Sequence, residues 1–270
     1  MDKTNFACIA DDPIEVREAA RKGLGVFARI DIRRGTRIIS ESALLEVGDE
    51  KNSEAKGIVL AFEQLAPPQQ ELFLQLHGYA CNKFKRAAER EMEQAWQDIS
   101  ELHRTVLSIY AANAFGKVFW LGSRINHSCL PNVNFSYNPA LKQGTFHAIR
   151  DIVAGEELTV MYINGTNRTK SQRQAELKKW GFSCSCPACE DTLQGQKREE
   201  KRAELFALDQ ALAVHAFSGT AKSLEEALLK AQRMASIQNS EGLVHRELRV
   251  TYHEAASYSL RTGRLRMALL

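Results

Sequence analysis

The 270-residue chain contains no uninterrupted apolar run of about 18 residues, the length a helix needs to cross a bilayer, so no transmembrane segment is expected. Its first residues, Met1-Asp2-Lys3-Thr4-Asn5, lack the charged-then-apolar order of a secretory leader. Charge of one sign is also missing. Thirty-six Lys and Arg against 33 Asp and Glu leave +3, scattered rather than blocked, which gives no footprint for direct nucleic-acid binding. These absences point to a soluble intracellular protein, nuclear, cytoplasmic or both, with no membrane attachment. A hydrophobic fraction of 44% is enough for a sizeable core and independent folding. Nothing in the sequence sets an oligomeric state.

Cysteine is scarce, with six in the chain, and an intracellular setting keeps thiols reduced, which argues against a disulfide framework. Cys8 and Cys81 have no nearby partner and read as small apolar residues. The other four are arranged differently. Cys184-x-Cys186-x-x-Cys189 puts three thiols within six residues, and Cys129 lies upstream beside His127, giving the ligand count of a closed tetrahedral zinc site. A site of four cysteines is structural rather than catalytic. Taken alone, His127 two residues before Cys129 also reads as a Cys–His hydrolase pair or as a group backing the zinc. The hydrolase reading fails, because a zinc-bound thiolate is already engaged and no strand-to-helix nucleophile turn surrounds it. A His/Asp/Glu cluster with catalytic-metal spacing is absent, and Gly23-Leu24-Gly25 lacks the third glycine of a dinucleotide fingerprint.

Short β-rich runs broken by glycine fill residues 14–47: Ile14–Val16, Gly25–Ala28, Arg37–Ile39 and Leu44–Val47. From 53 to about 113 the pattern turns helical, with a break at Pro67-Pro68 and a long charged helix-like stretch from Lys83 to Ile109. Strand patterns return at Val133–Tyr137, Thr145–Ile149 and Leu158–Tyr162. Thr169 followed by Gln172 is a capping box for a short helix ending near Trp180-Gly181. Beyond the last cysteine, Leu205, Leu208 and Leu212 mark one helix face, Ser223 with Glu226 caps a second helix, and Leu243–Leu260 forms a third. Ala255-Ala256 and Gly263 resemble helical-hairpin repeats of the tetratricopeptide kind, but no period recurs three times. Leu269-Leu270 falls inside an apparent helix start, as in a fragment of a longer protein.

Three segments in order, Asn126-His127-Ser128-Cys129-x-Pro131-Asn132, Gly155-Glu156-Glu157-Leu158 running to Tyr162, and Cys184-x-Cys186-x-x-Cys189, resemble the SET domain and post-SET segment of protein-lysine methyltransferases. The split by a helical insertion and the helical tail resemble the SET-and-MYND relatives and similar fungal SET proteins. The insertion holds only Cys81, so a MYND finger is not implied. The resemblance covers about residues 14–190. It implies an α+β fold: a β-rich SET domain over 1–165 with a helical insertion at about 50–112, a zinc-bound post-SET segment over 166–190, and an α-helical region over 191–270.

The implied activity is methyl transfer from S-adenosyl-L-methionine to lysine side chains of proteins, histone or non-histone, with Zn2+ in a structural role. A catalytically silent SET module acting in protein interaction or chromatin targeting is the competing reading. The resemblance assigns cofactor binding to Arg21, Lys22, Gly23, Leu24, Ser123, Arg124, Asn126, His127, Tyr162 and Phe182, with glycine allowing close backbone approach. Tyr162 is the implied catalytic residue, orienting the amine where donor methyl and target nitrogen meet. Phe115 and Trp180 fall, with Tyr162, where relatives line the lysine channel. Phe115, Trp180 and Phe182 read equally well as plain core. The implied metal ligands are Cys129, Cys184, Cys186 and Cys189. Substrate identity and methylation multiplicity are not legible.

Overall fold

The computed structural model describes residues 12–48, 54–79, 82–218 and 220–263. The leader, Cys8, Cys81 and Leu269-Leu270 readings lie outside them. The chain forms two compact units. The first takes the described residues up to Asn126, then Asn132–Thr159 and Lys179–Gly181; the second takes His127–Pro131, Val160–Lys178 and the residues from Phe182 onward.

In the first unit, β1 (Ile14–Ala19) and β2 (Gly23–Ala28) form an antiparallel hairpin with Ala19 opposite Gly23. Its tight reversal takes left-handed backbone at Arg21 (φ 62°) and Gly23 (φ 74°), a conformation glycine adopts without strain. A three-stranded antiparallel sheet runs in the order β3 (Arg37–Ser42), β6 (Gln143–Ala148), β5 (Val133–Asn138). The β5–β6 reversal is held by the Asn138 side chain, which accepts from the N–H groups of Ala140 and Leu141 at 3.0 and 3.2 Å.

The helical insertion consists of α1 (Ala55–Glu63), α2 (Pro67–Leu74), α3 (Lys85–Met92) and α4 (Glu101–Asn113). Pro67 and Pro68 open α2, where a missing N–H costs nothing, and the Ser100 hydroxyl caps α4 by accepting from His103 N–H at 3.2 Å. Phe62, Phe73, Val106 and Ile109 pack with Leu45 and Val118 into one buried cluster. Two sequence expectations change here. The Lys83–Ile109 helix is interrupted because Glu93 is left-handed (φ 55°), and α4 restarts at its serine cap. Leu44–Val47 contributes a single bridge, Leu45 to Val118, because both neighbours are drawn into the helical cluster rather than a sheet.

Two-residue strands β4 (Asn126–His127) and β7 (Thr159–Val160) complete the strands. The Asn132 side chain fixes the approach to β7. Its amide donates to Glu157 O at 2.8 Å and Glu156 Oε1 at 3.1 Å, and its carbonyl accepts from Thr159 N–H at 2.7 Å. Asn132 is 1% exposed, so water cannot replace these bonds.

The second unit holds α5 (Lys170–Leu177), capped as expected by the reciprocal Thr169–Gln172 box, and three long helices: α6 (Leu193–Ser218), α7 (Ala221–Ser240) and α8 (Arg246–Arg261). Leu205, Leu212, Leu224, Leu228, Leu243 and Tyr258 make its core. The cap of α7 is Thr220, whose hydroxyl accepts from Ser223 N–H at 3.2 Å; Ser223 therefore sits inside the first turn instead of capping it. No described helix is long and apolar enough to cross a membrane.

Replacing Asn132 by Leu strands the Thr159 N–H and the Glu157 carbonyl in a dry site, and a stability loss of about 1–3 kcal/mol is expected from urea unfolding. An unfolding midpoint equal to the parent's contradicts this role.

Candidate functional site

In the first unit, the β1–β2 reversal leaves Arg21 and Lys22 exposed in the turn and Gly23 and Leu24 exposed at the start of β2, while Gly25 is buried. A Cβ at Gly25 would lie 3.0 Å from Ala19 Cβ, Asn126 Nδ2 and Glu157 Oε1, tighter than ordinary contact, so glycine lets the strand pass close without displacing these groups. The Asn126 amide donates to Leu24 O at 3.1 Å and to Glu157 Oε1 at 2.8 Å, and Lys22 Nζ pairs with Glu157 Oε2 at 2.7 Å. The structure thus brings Lys22, Leu24, Gly25 and Asn126 together through Glu157. Glu157 carried no role in the sequence reading. Its place in the Gly-Glu-Glu-Leu segment was visible, but its partners lie up to 135 residues away.

Ser123 and Arg124 occupy a 3-10 turn, Gly122–Arg124, next to Asn126 in the chain. Ser123 Oγ donates to Asn113 O at 3.4 Å, and the buried Arg124 guanidinium stacks 4.6 Å above the Trp120 ring. Glu41 anchors the turn by accepting from Leu121 and Gly122 N–H at 3.1 and 2.6 Å; burial pushes its carboxyl above the usual range, opposed by those backbone hydrogen bonds. Phe115 packs against Phe135 and Phe146 at ring separations of 4.9 and 6.1 Å. Half-buried Trp180 ends a 3-10 turn beside Gly181, whose left-handed backbone (φ 80°) faces the Tyr79 ring where a Cβ would clash.

In the second unit, His127, Tyr162 and Phe182 form an aromatic group. Ring centroids are 5.4 Å apart for His127–Tyr162, 6.0 Å for His127–Phe182 and 6.4 Å for Tyr162–Phe182, the last edge-on. His127 is 4% exposed. Its Nδ1 accepts the Tyr162 backbone N–H at 3.0 Å, which leaves Nε2 to carry the ring proton toward Cys129 Sγ at 3.4 Å. The imidazole thus joins the tyrosine backbone to the cysteine cluster. It also explains why the strand expected through Tyr162 ends at Val160: the N–H a sheet ladder would use belongs to His127.

Cys129, Cys184, Cys186 and Cys189 are buried, and their four sulfurs lie within 4.8 Å of one another. Cys129 Sγ is 3.7 Å from Cys189 Sγ and 4.0 Å from Cys184 Sγ. A disulfide requires about 2.05 Å. Four thiolates arranged tetrahedrally at about 2.3 Å from a zinc ion stand about 3.8 Å apart, so the donor set and its spacing both fit. α5 positions one ligand: Gln174 donates to Cys184 O at 2.7 Å and accepts from Cys184 N–H at 2.9 Å. Hydrogen bonding to Cys184, then Cys186 and Cys189, pushes the Cys129 thiol far above its ordinary range, whereas Cys186 is driven down by Cys129 first. A bound dication removes that competition by taking all four as thiolates.

A family model described as SET domain matches residues 23–163, just over half of the chain. The chain belongs to the SET-domain family. It is similar to the histone-lysine N-methyltransferase set5 of Schizosaccharomyces pombe, at 34% identity over 171 residues, 62% of this chain and 47% of that protein. It is also similar to the SET5 histone-lysine N-methyltransferase of Meyerozyma guilliermondii, at 43% over 86 residues, 31% of this chain and 18% of that protein. The chain thus spans less than half the length of these curated relatives. A solved structure of Rubisco LSMT bound to AdoMet is a distant likeness, with 14% identity, TM-score 0.42, and coverage of 95% of this chain and 89% of that one. The SET assignment agrees with the α+β architecture expected from the sequence motifs.

Elemental analysis of the purified protein is expected to give one zinc per chain, with X-ray absorption showing sulfur at about 2.3 Å. Cys186→Ser should abolish stoichiometric binding. Metal-free parent protein, or a serine variant that retains the full complement, defeats the assignment.

Proposed function

We propose that this SET protein transfers methyl groups from S-adenosylmethionine to lysine side chains of proteins. The observation that carries this reading is the SET match from Gly23 to Ile163, which takes in the glycine loop, Asn126-His127 and Tyr162. The relatives named histone-lysine N-methyltransferases make histones one candidate substrate class, with non-histone lysines equally open. The domain division follows: a SET region over 1–165 with its insertion at about 50–112, a zinc-bound segment over 166–190, and helices over 191–270.

In this reading the role proposed for Arg21–Leu24, Ser123, Arg124, Asn126, His127, Tyr162 and Phe182 is methyl-donor binding. Both His127 ring nitrogens face protein groups, so the residue serves through its backbone and ring face. Transfer is an in-line displacement: the neutral lysine nitrogen attacks the methyl carbon, the carbon–sulfur bond breaks, and sulfur leaves as a neutral thioether. The protein's task is alignment. Tyr162 suits it because His127 fixes its backbone and Phe182 meets its ring edge-on, so the phenol is held for a hydrogen bond to the amine. Phe115 and Trp180 serve as channel walls. Zinc, where bound, would offset two of the four thiolate charges and fix the Cys184–Cys189 segment.

The first test is transfer of labelled methyl groups from S-adenosylmethionine to nuclear and cytosolic extracts, followed by identification of the labelled proteins. On a good substrate, Tyr162→Phe should lower turnover about tenfold to a thousandfold, or alter product multiplicity, with little change in stability. A phenylalanine variant as fast as the parent and giving the same products removes Tyr162 from the mechanism. If no substrate is labelled although the cofactor binds tightly, the silent-module reading stands instead.

Asn126→Ala removes the amide that holds Leu24 and Glu157, and should weaken S-adenosylmethionine binding by about 1–3 kcal/mol in calorimetry. Unchanged affinity would show that the donor binds elsewhere.

A further inference from the structure

Two guanidiniums are buried beside the four cysteines, and methyl transfer as proposed uses neither. Arg173, on α5, is 0% exposed; its Nη2 lies 3.6 Å from Cys189 Sγ and donates to Ala188 O at 3.1 Å, while Nη1 donates to Arg168 O at 2.6 Å. Arg202, on α6, is 1% exposed; Nη1 donates to Gly165 O at 2.8 Å and Thr166 O at 2.6 Å, and Nη2 donates to Cys129 O at 2.7 Å.

Arg173 has one carboxylate partner: Glu199 Oε2, itself buried, stands 3.5 Å away, while Glu199 Oε1 accepts from Lys170 N–H. The Arg202 bonds all end on backbone carbonyls, which accept hydrogen bonds without supplying a countercharge. Buried cations of this kind are costly unless a negative charge is close. Cys189 Sγ at 3.6 Å from Arg173, and the Cys129 carbonyl that Arg202 grips at 2.7 Å, set both guanidiniums against the cysteine cluster.

Four thiolates around one dication leave two surplus negative charges in a buried site, and the two guanidiniums face that surplus, Arg173 sharing its charge with Glu199. We propose that Arg173 and Arg202 are the counter-ions of a zinc–tetracysteine centre, so that α6 of the C-terminal helical region supplies part of what holds the metal. The proposal rests on the cluster being a zinc site. It assigns these arginines a positioning role: Arg173 acts on Cys189 directly, and Arg202 acts through the Cys129 carbonyl and the field it places on the thiolates. Groups of this kind typically change metal affinity by about 10- to 100-fold.

The test uses the whole chain loaded with zinc, and reads the rate of zinc transfer to a colorimetric chelator. Arg202→Lys keeps the charge and loses the fork, whereas Arg202→Gln loses the charge and keeps donor capacity. The expected result is release about 10- to 100-fold faster from the glutamine variant, with lysine close to the parent. Equal release from both variants, at matched helix content by circular dichroism, overturns the counter-ion role, because a purely structural arginine would be mimicked no better by lysine than by glutamine. If Arg202→Gln fails to fold, the Arg173→Lys and Arg173→Gln pair decides by the same criterion. Failure of the zinc reading is distinguishable: the parent itself would then contain no metal.

Discussion

Four sulfur atoms within 4.8 Å of one another in a dry interior cannot all be charged without positive charge to hold them, and the second unit is arranged around that constraint. Cys129 comes from a short upstream segment and the other three from beyond α5. α5 contributes Gln174 to the backbone of Cys184 and Arg173 to the sulfur of Cys189, so one eight-residue helix faces the cluster at two points. So short a helix is marginal in isolation. Its capping box and its bonds to the cysteine segment supply what its length does not. His127 then passes the same anchoring to Tyr162, since a ring fixed at Cys129 also fixes the backbone of the tyrosine.

The first unit solves a different problem with neutral and ionic hydrogen bonds. Glu157 meets Lys22 with one oxygen and the Asn126 amide with the other, tying the hairpin loop to the asparagine it must face. Directly beside it, Asn132 accepts from Thr159 and donates to the Glu157 backbone, which sets where the Glu157 side chain begins. The glycine at position 25 is the steric counterpart of these bonds, because a Cβ there would press on the Asn126 amide, on the Glu157 carboxylate it is bonded to, and on Ala19.

How much of this was legible depended on the range over which each signal acts. The thiols stood out because cysteine is rare here and three of them lie within six residues. The short strands, the capping box and the break at Pro67-Pro68 are local features, and the structure keeps them. The misreadings are also local patterns, overruled by distant partners. Tyr162 continues a good strand pattern, yet its N–H is taken by a histidine 35 residues upstream. Lys83–Ile109 has helical composition, but the chain turns at Glu93 to let α4 join the cluster around Phe62 and Phe73. Asn132, Glu157, Arg173 and Arg202 gave no sign of their roles, because a polar residue's importance lies in its partner, and theirs are brought close only by folding.

The separation of Cys129 from its fellow ligands also matters during synthesis. Cys189 follows Cys129 by 60 residues. At typical elongation rates of about 5–20 residues per second, Cys129 leaves the ribosome roughly 3–12 s before the ligand set can close. During that interval the nascent chain carries an unpartnered thiol next to a histidine, open to oxidation or to capture by a foreign metal. The buried centre therefore cannot close before Cys189 emerges, and the yield of correctly loaded protein is set partly by the redox state and free-metal level the chain meets until then.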